Sequence, residues 1–508
     1  MKKQIEKPKF RHAPPRAGAM IEALRGLGYS TATALADIID NSIAAGAKNI
    51  DLHFDWNGKG SVVRIEDDGR GMTEDQIDCA MRLGERNPLD SRADDDLGRF
   101  GLGLKTASFS QCRRLTVATV GPDGLQCLRW DLDVIAVSEG DGWHLLEGPD
   151  ASSAGLVDEF AERPHGTLVI WELLDRIVTD GFGEQNFLDL LDRVERHLAM
   201  VFHRYLEGTR PHLRLRIAGQ PVVPWDPFMS GHPAKPWHSP AASFAAKSGI
   251  EVECHVLPHK DRLNSKEYDA AQGPDGWTAQ QGFYVYRNKR LLLAGSWLGL
   301  GQGRGWTKDE AHRLARIRLD IPNSADTEWK IDIRKSTARP PVNVRAWLAR
   351  LADDTRARAR RAFAQRGQTP RSKSGAEVSQ VWKSHQFSGG MRYRIDTDHP
   401  AVRAVLDDSK ALAPQLLAML RVIEETVPVQ RIWIDTAENK ETPRTGFSGE
   451  PSAEVVSVLE VMYRNMVKVK GMSPSMARAR LLLTEPFQNY QDLVNLLPDQ
   501  PRELDKKV

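Results

Sequence analysis

Two glycine-rich turns constrain this chain more than any other feature. The first closes a strand-like run, Val62-Val-Arg-Ile-Glu-Asp-Asp-Gly-Arg-Gly-Met72. The second, Leu97-Gly-Arg-Phe-Gly-Leu-Gly-Leu-Lys-Thr-Ala-Ser108, runs into a helical pattern. Glycine lets a backbone turn closely around a bound group. Backbone N–H groups exposed at the start of a helix make an anion site, to which Lys105 adds a point charge. Ahead of both turns lies Ala34-Leu-Ala-Asp-Ile-Ile-Asp-Asn-Ser-Ile-Ala-Ala-Gly46, a helix that Ser30 or Thr31 can cap and Gly46 can end. Asp37 and Asn41 stand four apart and project from one face.

Taken singly, each motif has a plainer reading: a solvated Asp/Asn pair, an Asp-Gly turn, a glycine-rich loop. Their order carries the information. A dinucleotide-binding fold would place the glycines in its first strand–helix turn with an acidic residue about 20 positions later, whereas here the acidic motifs come first. A protein kinase would need downstream H-R-D and D-F-G motifs, and the sequence has neither. A carboxylate able to polarise water beside an amide oxygen able to ligate magnesium suits phosphoanhydride hydrolysis. A buried carboxylate at Asp67 can accept the exocyclic amine of adenine.

The 508 residues predict two to four domains. Hydrophobic residues make up 41% and charged residues 27%, the balance of a globular protein. No apolar run approaches the ~20 residues of a membrane span, and no apolar segment follows the basic Met1-Lys-Lys3, so neither membrane insertion nor a signal peptide is expected. Cys79, Cys112, Cys127 and Cys254 form no CxxC pair, which predicts a cytoplasmic protein. A net charge of +2 announces no nucleic-acid partner for the chain as a whole.

Periodicity organises the rest. Residues 1–15 read as a basic arm. Helical spacing over Phe187–Leu206 involves Leu188, Leu191, Val194, Leu198, Val201 and Phe202. A strand over Leu213–Ile217 leads to a proline-rich irregular connection from Pro221 to Pro240. Further strands are expected at Gly282–Tyr286 and Arg316–Ile321, and an amphipathic helix at Val344–Phe363. Gly367–Gly375 reads as a linker before a mainly helical piece. Arg356, Arg358, Arg360, Arg361, Arg366, Arg371 and Lys373 form either a solvated helix face or a phosphate-contacting stripe.

Asp37/Asn41, Asp67-x-Gly-x-Gly71, the Gly98–Lys105 loop and His165-Gly-Thr-Leu-Val-Ile170, in that order, resemble the four motifs of GHKL ATPases. The likeness is greatest to the MutL-like and MORC-like branch, including prokaryotic members linked to restriction-modification or antiviral defence. It covers residues 17–207 and extends through Gly282–Arg290 and Trp329–Lys335, which resemble a transducer domain. The fold it implies is α/β: an ATP-binding sandwich over 16–210 with helices on one face of a mixed sheet, and an α/β transducer over 211–343. A basic helix and linker over 344–375 and a mainly helical region over 376–508 complete the expected order.

Carried over position by position, the resemblance makes Asp37 the catalytic base, Asn41 the Mg²⁺ ligand and Asp67 the adenine-reading carboxylate. Gly69, Gly71 and Met72 shape the base pocket. Gly98, Gly101, Leu102, Gly103, Leu104 and Lys105 form a lid over the phosphates. Thr167 holds the base through a hydroxyl or water, and Lys335, with Lys330 as competitor, reaches the γ-phosphate. The family usually has Glu at the position of Asp37; the shorter side chain implies slow hydrolysis. The resemblance further implies a homodimeric, ATP-gated clamp on DNA in genome defence or repair, with a helicase or nuclease as partner. An Hsp90-like chaperone or scaffold acting on proteins is the alternative.

Overall fold

The computed structural model describes residues 11, 15–26, 28–84, 103–137, 143–245, 248–301, 303–323, 328–331, 338–364, 379–387, 390–408, 410–429, 431–432, 453–484, 487 and 490–500. The chain divides into two compact units, 1–367 and 368–508. The basic arm lies almost wholly outside the described residues, as does the linker.

The first unit is mixed α/β. Its larger sheet is built from β1 (Asn49–Asp55), β2 (Val62–Asp67), β3 (Arg114–Gly121), β4 (Gly124–Asp131), β5 (Leu146–Glu147), β6 (Gly166–Glu172), β7 (Arg214–Ile217) and β8 (Gln220–Pro221). Their spatial order is β5-β4-β3-β6-β2-β1-β7-β8. Neighbours run antiparallel except β1 and β7, which pair in parallel from Asn49 opposite Arg214. The strand read from Leu213–Ile217 thus extends the first sheet.

Alternation along the strands gives the sheet two apolar faces. Leu115, Val117, Val169 and Trp171 face the main core. It is covered by α1 (Ala17–Arg25), α2 (Thr31–Ala44), α3 (Glu74–Met81), α4 (Gly103–Phe109), α5 (Leu132–Val137) and, after the short α6 (Ala154–Ala161), α7 (Glu184–Val201). Ala118, Val120, Leu168 and Ile170 point the other way and pack with Val157 and Phe160 of α6. Most helices thus cover one face of the mixed sheet, as expected, and the short α6 packs on the second. In α7 the stripe of Val194, Leu198 and Val201 is buried, whereas Leu188 is half exposed. The chain then breaks and resumes as α8 (His203–Leu206).

Across the proline-rich stretch a second sheet forms from β9 (Trp237–His238), β10 (Ala242–Ser243), β11 (Glu251–Val256), β12 (Gly282–Arg287), β13 (Arg290–Ser296) and β14 (Ala315–Ile321). It has α9 (Ser265–Ala271) beside it and is backed by α10 (Val342–Ala364). Val344, Leu348, Ala352 and Ala359 of α10 are buried in its core, with Trp347, Leu351 and Phe363 packed against it. Between the two cores sits a cluster of Met200, Phe228, Tyr284, Tyr286 and Leu291. Cys254 and His255 lie in β11.

The arginines of α10 divide. Arg356 is buried, with its guanidinium 4.6 Å from the Trp297 ring and 4.9 Å from the Trp306 ring. Arg358, Arg360 and Arg361 are exposed, and Arg358 lies over Trp237. Arg366, Arg371 and Lys373 lie outside the described residues.

The second unit contains an antiparallel hairpin (Trp382–Phe387 with Gly390–Ile395) and helices at Pro400–Asp408, Ala413–Glu425, Ala453–Arg464, Pro474–Leu481 and Gln491–Asn495. Leu459, Met462, Tyr463, Leu481, Phe487 and Val494 are among its core residues. Gly471 at φ +65° and the Ser473 cap join two of these helices. Among the described residues of the chain, no helix is long and apolar enough to cross a membrane.

Candidate functional site

Helix α2 begins with a capping box: Ser30 Oγ accepts from Thr33 N–H, and Thr33 Oγ1 accepts from Ser30 N–H. It ends on Gly46 at φ +82°, a left-handed conformation that glycine adopts without steric cost. So fixed, α2 presents Asp37, Asp40 and Asn41 in two successive turns. Asp37 and Asp40 are 8% and 2% exposed, whereas Asn41 is exposed.

The Asp67–Met72 turn wraps the C-terminal end of this helix. Arg70 donates its backbone N–H to the Ala45 carbonyl and its guanidinium to the Ala44 carbonyl, satisfying acceptors that a helix end leaves open. Asp67, at the end of β2, is 5% exposed. Its Oδ2 accepts from Ser42 Oγ at 2.7 Å and its Oδ1 from Gly69 N–H at 2.9 Å. Burial raises its pKa; the hydrogen bonds from Ser42, Gly69 and Thr167 oppose the shift without cancelling it. Three donors leave a carboxylate with about four lone-pair sites room for one more. Asp68 is used differently. Partial burial would raise its pKa, but the amides of Asn49 and Lys48 hold it below the usual carboxylate value, and it ties the turn to β1.

Close packing of backbones defines the floor of the site. Gly71 has φ +68°, and a Cβ there would stand 2.0 Å from the Val120 carbonyl oxygen. A Cβ on Gly121 would stand 2.3 Å from the Met72 carbonyl oxygen, and one on Gly166 (φ +139°) 2.2 Å from that of Asp67. Thr119 Oγ1 accepts from Met72 N–H and donates to the Gly166 carbonyl. His165 Nδ1 lies 2.8 Å from the Gly69 carbonyl oxygen. Thr167 is directly opposite Asp67 in the β2–β6 pairing, and both Met72 and Thr167 are half-buried.

The structure therefore brings Asn41, Asp67, Gly69, Gly71, Met72 and Thr167 around one helix end and one pair of strand ends. Gly98, Gly101, Leu102 and Lys335 lie outside the described residues. Gly103 and Leu104 open α4. Lys105 is 2% exposed, and its ammonium donates to the carbonyls of Ala80 and Arg82 at the end of α3, both at 2.8 Å. In this conformation Lys105 holds α3 against α4. Lys330 is exposed beside buried Trp329.

Several residues of the site carry no signal at the sequence level. Ser42 and Thr119 are ordinary hydroxyls until α2 and β3 place them. Tyr29 donates from its hydroxyl to Asp37 Oδ2 at 3.0 Å, and Arg290 of β13 donates from Nε to Asp40 Oδ1 at 3.1 Å. Gly166 stands within the His165–Ile170 motif and Arg290 at the end of the Gly282–Arg290 stretch, while Gly121, beside a Pro-Asp-Gly turn, could have been flagged from sequence.

Gly71→Ala is expected to destabilise the first unit by about 3 kcal/mol or more, because it combines a left-handed φ with a backbone clash. Gly84→Ala, also at positive φ but with nothing within 4 Å, should cost about 1–2 kcal/mol. Urea midpoints of the two variants test the difference.

Residues 29–167 match the family described as histidine kinase-, DNA gyrase B-, and HSP90-like ATPases. Among curated proteins, the DNA mismatch repair protein MutL of Halobacterium salinarum is 29% identical over 141 residues, covering 26% of this chain and 20% of that protein. ATPase morc-1 of Caenorhabditis elegans is 25% identical over 235 residues, covering 38% and 27%. MutL of Rhodopseudomonas palustris is 28% identical over 207 residues, covering 40% and 31%. The chain thus spans between a fifth and a third of the length of these relatives. It carries a GHKL-type ATPase domain with MutL and MORC proteins among its distant homologues.

Proposed function

We propose that this chain binds Mg-ATP at the end of α2 and hydrolyses it slowly. The nucleotide cycle then closes and reopens a homodimeric clamp on DNA, in genome defence or repair. The observation that carries the nucleotide reading is the buried Asp67 carboxylate, held by Ser42 and Gly69 with capacity for one further donor. The exocyclic amine of adenine fits that capacity, with Met72 and Thr167 beside it. Asn41 offers an exposed amide oxygen one residue before Ser42, and Mg²⁺ is commonly held by one or two protein oxygens plus phosphate oxygens. Magnesium so placed would neutralise charge on the phosphates. Asp37, one turn earlier on α2, orients the attacking water, and the loop from Gly98 to Leu104 would cover the phosphates, while Lys105 holds α3 against α4.

The DNA reading is supported by the likeness to MutL DNA mismatch repair proteins and by exposed Arg358, Arg360 and Arg361 on α10. Lys335, or Lys330, would link the γ-phosphate to the second sheet. A helicase or nuclease partner would supply any cutting.

Four outcomes are expected. A non-hydrolysable ATP analogue should double the mass measured by light scattering for the wild type, and Asn41→Ala should abolish the doubling; an unchanged wild-type mass refutes the clamp. The preference for ATP over GTP should erode on acidification, starting above the ordinary carboxylate value of 3.8, because the pKa of Asp67 is raised and protonation takes up the acceptor site left for the adenine amine. The same shift makes Asp67's contribution to folding stability greatest at low pH, declining as pH rises through the raised pKa. Finally, DNA retention should fall steeply with salt, and replacing Arg358, Arg360 and Arg361 by alanine should shallow the log–log slope by about 0.9 per lost phosphate contact.

A further inference from the structure

Arg290 opens β13 immediately after a two-residue turn in which Asn288 and Lys289 have φ of +47° and +67°. Two central residues at positive φ make this a type I′ hairpin. The hairpin belongs to the second sheet, yet its tip is fastened to the first half of the unit. The Tyr205 hydroxyl donates to the Asn288 carbonyl, and Lys289 Nζ lies 2.7 Å from His212 Nε2. Deeper in the same junction, His203 Nε2 lies 2.8 Å from the Tyr286 hydroxyl.

With its backbone so placed, the Arg290 side chain reaches across to α2. It is 5% exposed, and its guanidinium lies 5.6 Å from the Phe202 ring. Nε donates to Asp40 Oδ1 at 3.1 Å, and Nη2 stands 3.8 Å from Asp37 Oδ1. The other Asp37 oxygen accepts from Tyr29. Asp37 and Asp40 are three apart and therefore neighbours on the helix, so one planar guanidinium fork spans both. A buried ion pair is a poor source of net stability compared with apolar packing, but it fixes geometry closely.

We propose that Arg290 is a positioning residue for hydrolysis. Anchored on Asp40, it holds the Asp37 carboxylate in place from the second sheet, so the seating of the β12–β13 hairpin sets the rate of turnover without setting nucleotide affinity. The proposal rests on the reading of Asp37 as the group that orients water. It predicts a split: residues that hold nucleotide sit on α2, β2 and β6, whereas the residue that disciplines the base comes from another sheet.

Nucleotide affinity and kcat measured side by side test it, in wild type, Asp37→Asn, Arg290→Lys and the paired variant Asp40→Leu/Arg290→Met. The pair removes both charges together and leaves neither stranded. Expected are ATP affinities within about 3-fold throughout and a kcat lowered about 10- to 100-fold in the paired variant, the scale of a misplaced reacting group. Arg290→Lys, which keeps the charge but not the fork, should fall in between. Wild-type kcat in the paired variant, with Asp37→Asn inactive, overturns the role of Arg290 and leaves the base assignment standing. A paired variant that loses affinity and keeps kcat per bound nucleotide also overturns it. Asp37→Asn turning over like wild type overturns both readings, since Arg290 then has no base to position.

Discussion

A carboxylate buried at the end of a strand has to find donors, and the packing around Asp67 follows from that requirement. Desolvation alone would drive the group to its neutral form. Ser42 supplies a donor only if the end of α2 lies against the end of β2, and Gly69 only if the chain doubles back at once. Thr167 does so only if β6 lies directly alongside β2. Those three demands bring the helix carrying Asp37 and Asn41, the glycine turn and the centre of the larger sheet to one place. Gly71, Gly121 and Gly166 then permit the backbones to approach to distances that no side chain would tolerate.

Much of this was legible in the sequence because it is local. Spacing of four put Asp37 and Asn41 on one helix face. The Ser30 cap, the amphipathic stripe of α10 and the strands at β12 and β14 each follow from composition over a short window. What escaped notice is non-local. Arg290 lies 250 positions from Asp40, and Thr119 lies 47 from Met72; no periodicity relates such pairs. The second apolar face of the large sheet was hidden for another reason. Its residues alternate with those of the main face, so Leu168–Trp171 of β6 reads as one apolar run whose two sides cannot be told apart.

The arginines of α10 show how composition misleads at the level of single residues. A run of like charges on a helix suggests one continuous surface, but helical periodicity assigns its members different surroundings. Arg356 is turned inward between Trp297 and Trp306, where burial lowers its pKa and Asp309 offsets part of that effect. Its long apolar stem and flat guanidinium act as core material. Arg360 and Arg361, a single turn further on, are exposed. An electrostatic surface counted from sequence therefore overstates the charge available to a polyanion.

The turn at Asn288-Lys289 has a thermodynamic corollary. Lysine in the left-handed region carries a penalty of about 1 kcal/mol that glycine would not. The penalty is built into the two-residue turn that pairs Arg287 with Arg290, and the contacts of Tyr205 and His212 fix where that turn lies. Part of the folding free energy of the unit is thereby committed to the aim of one side chain, Arg290, rather than to packing.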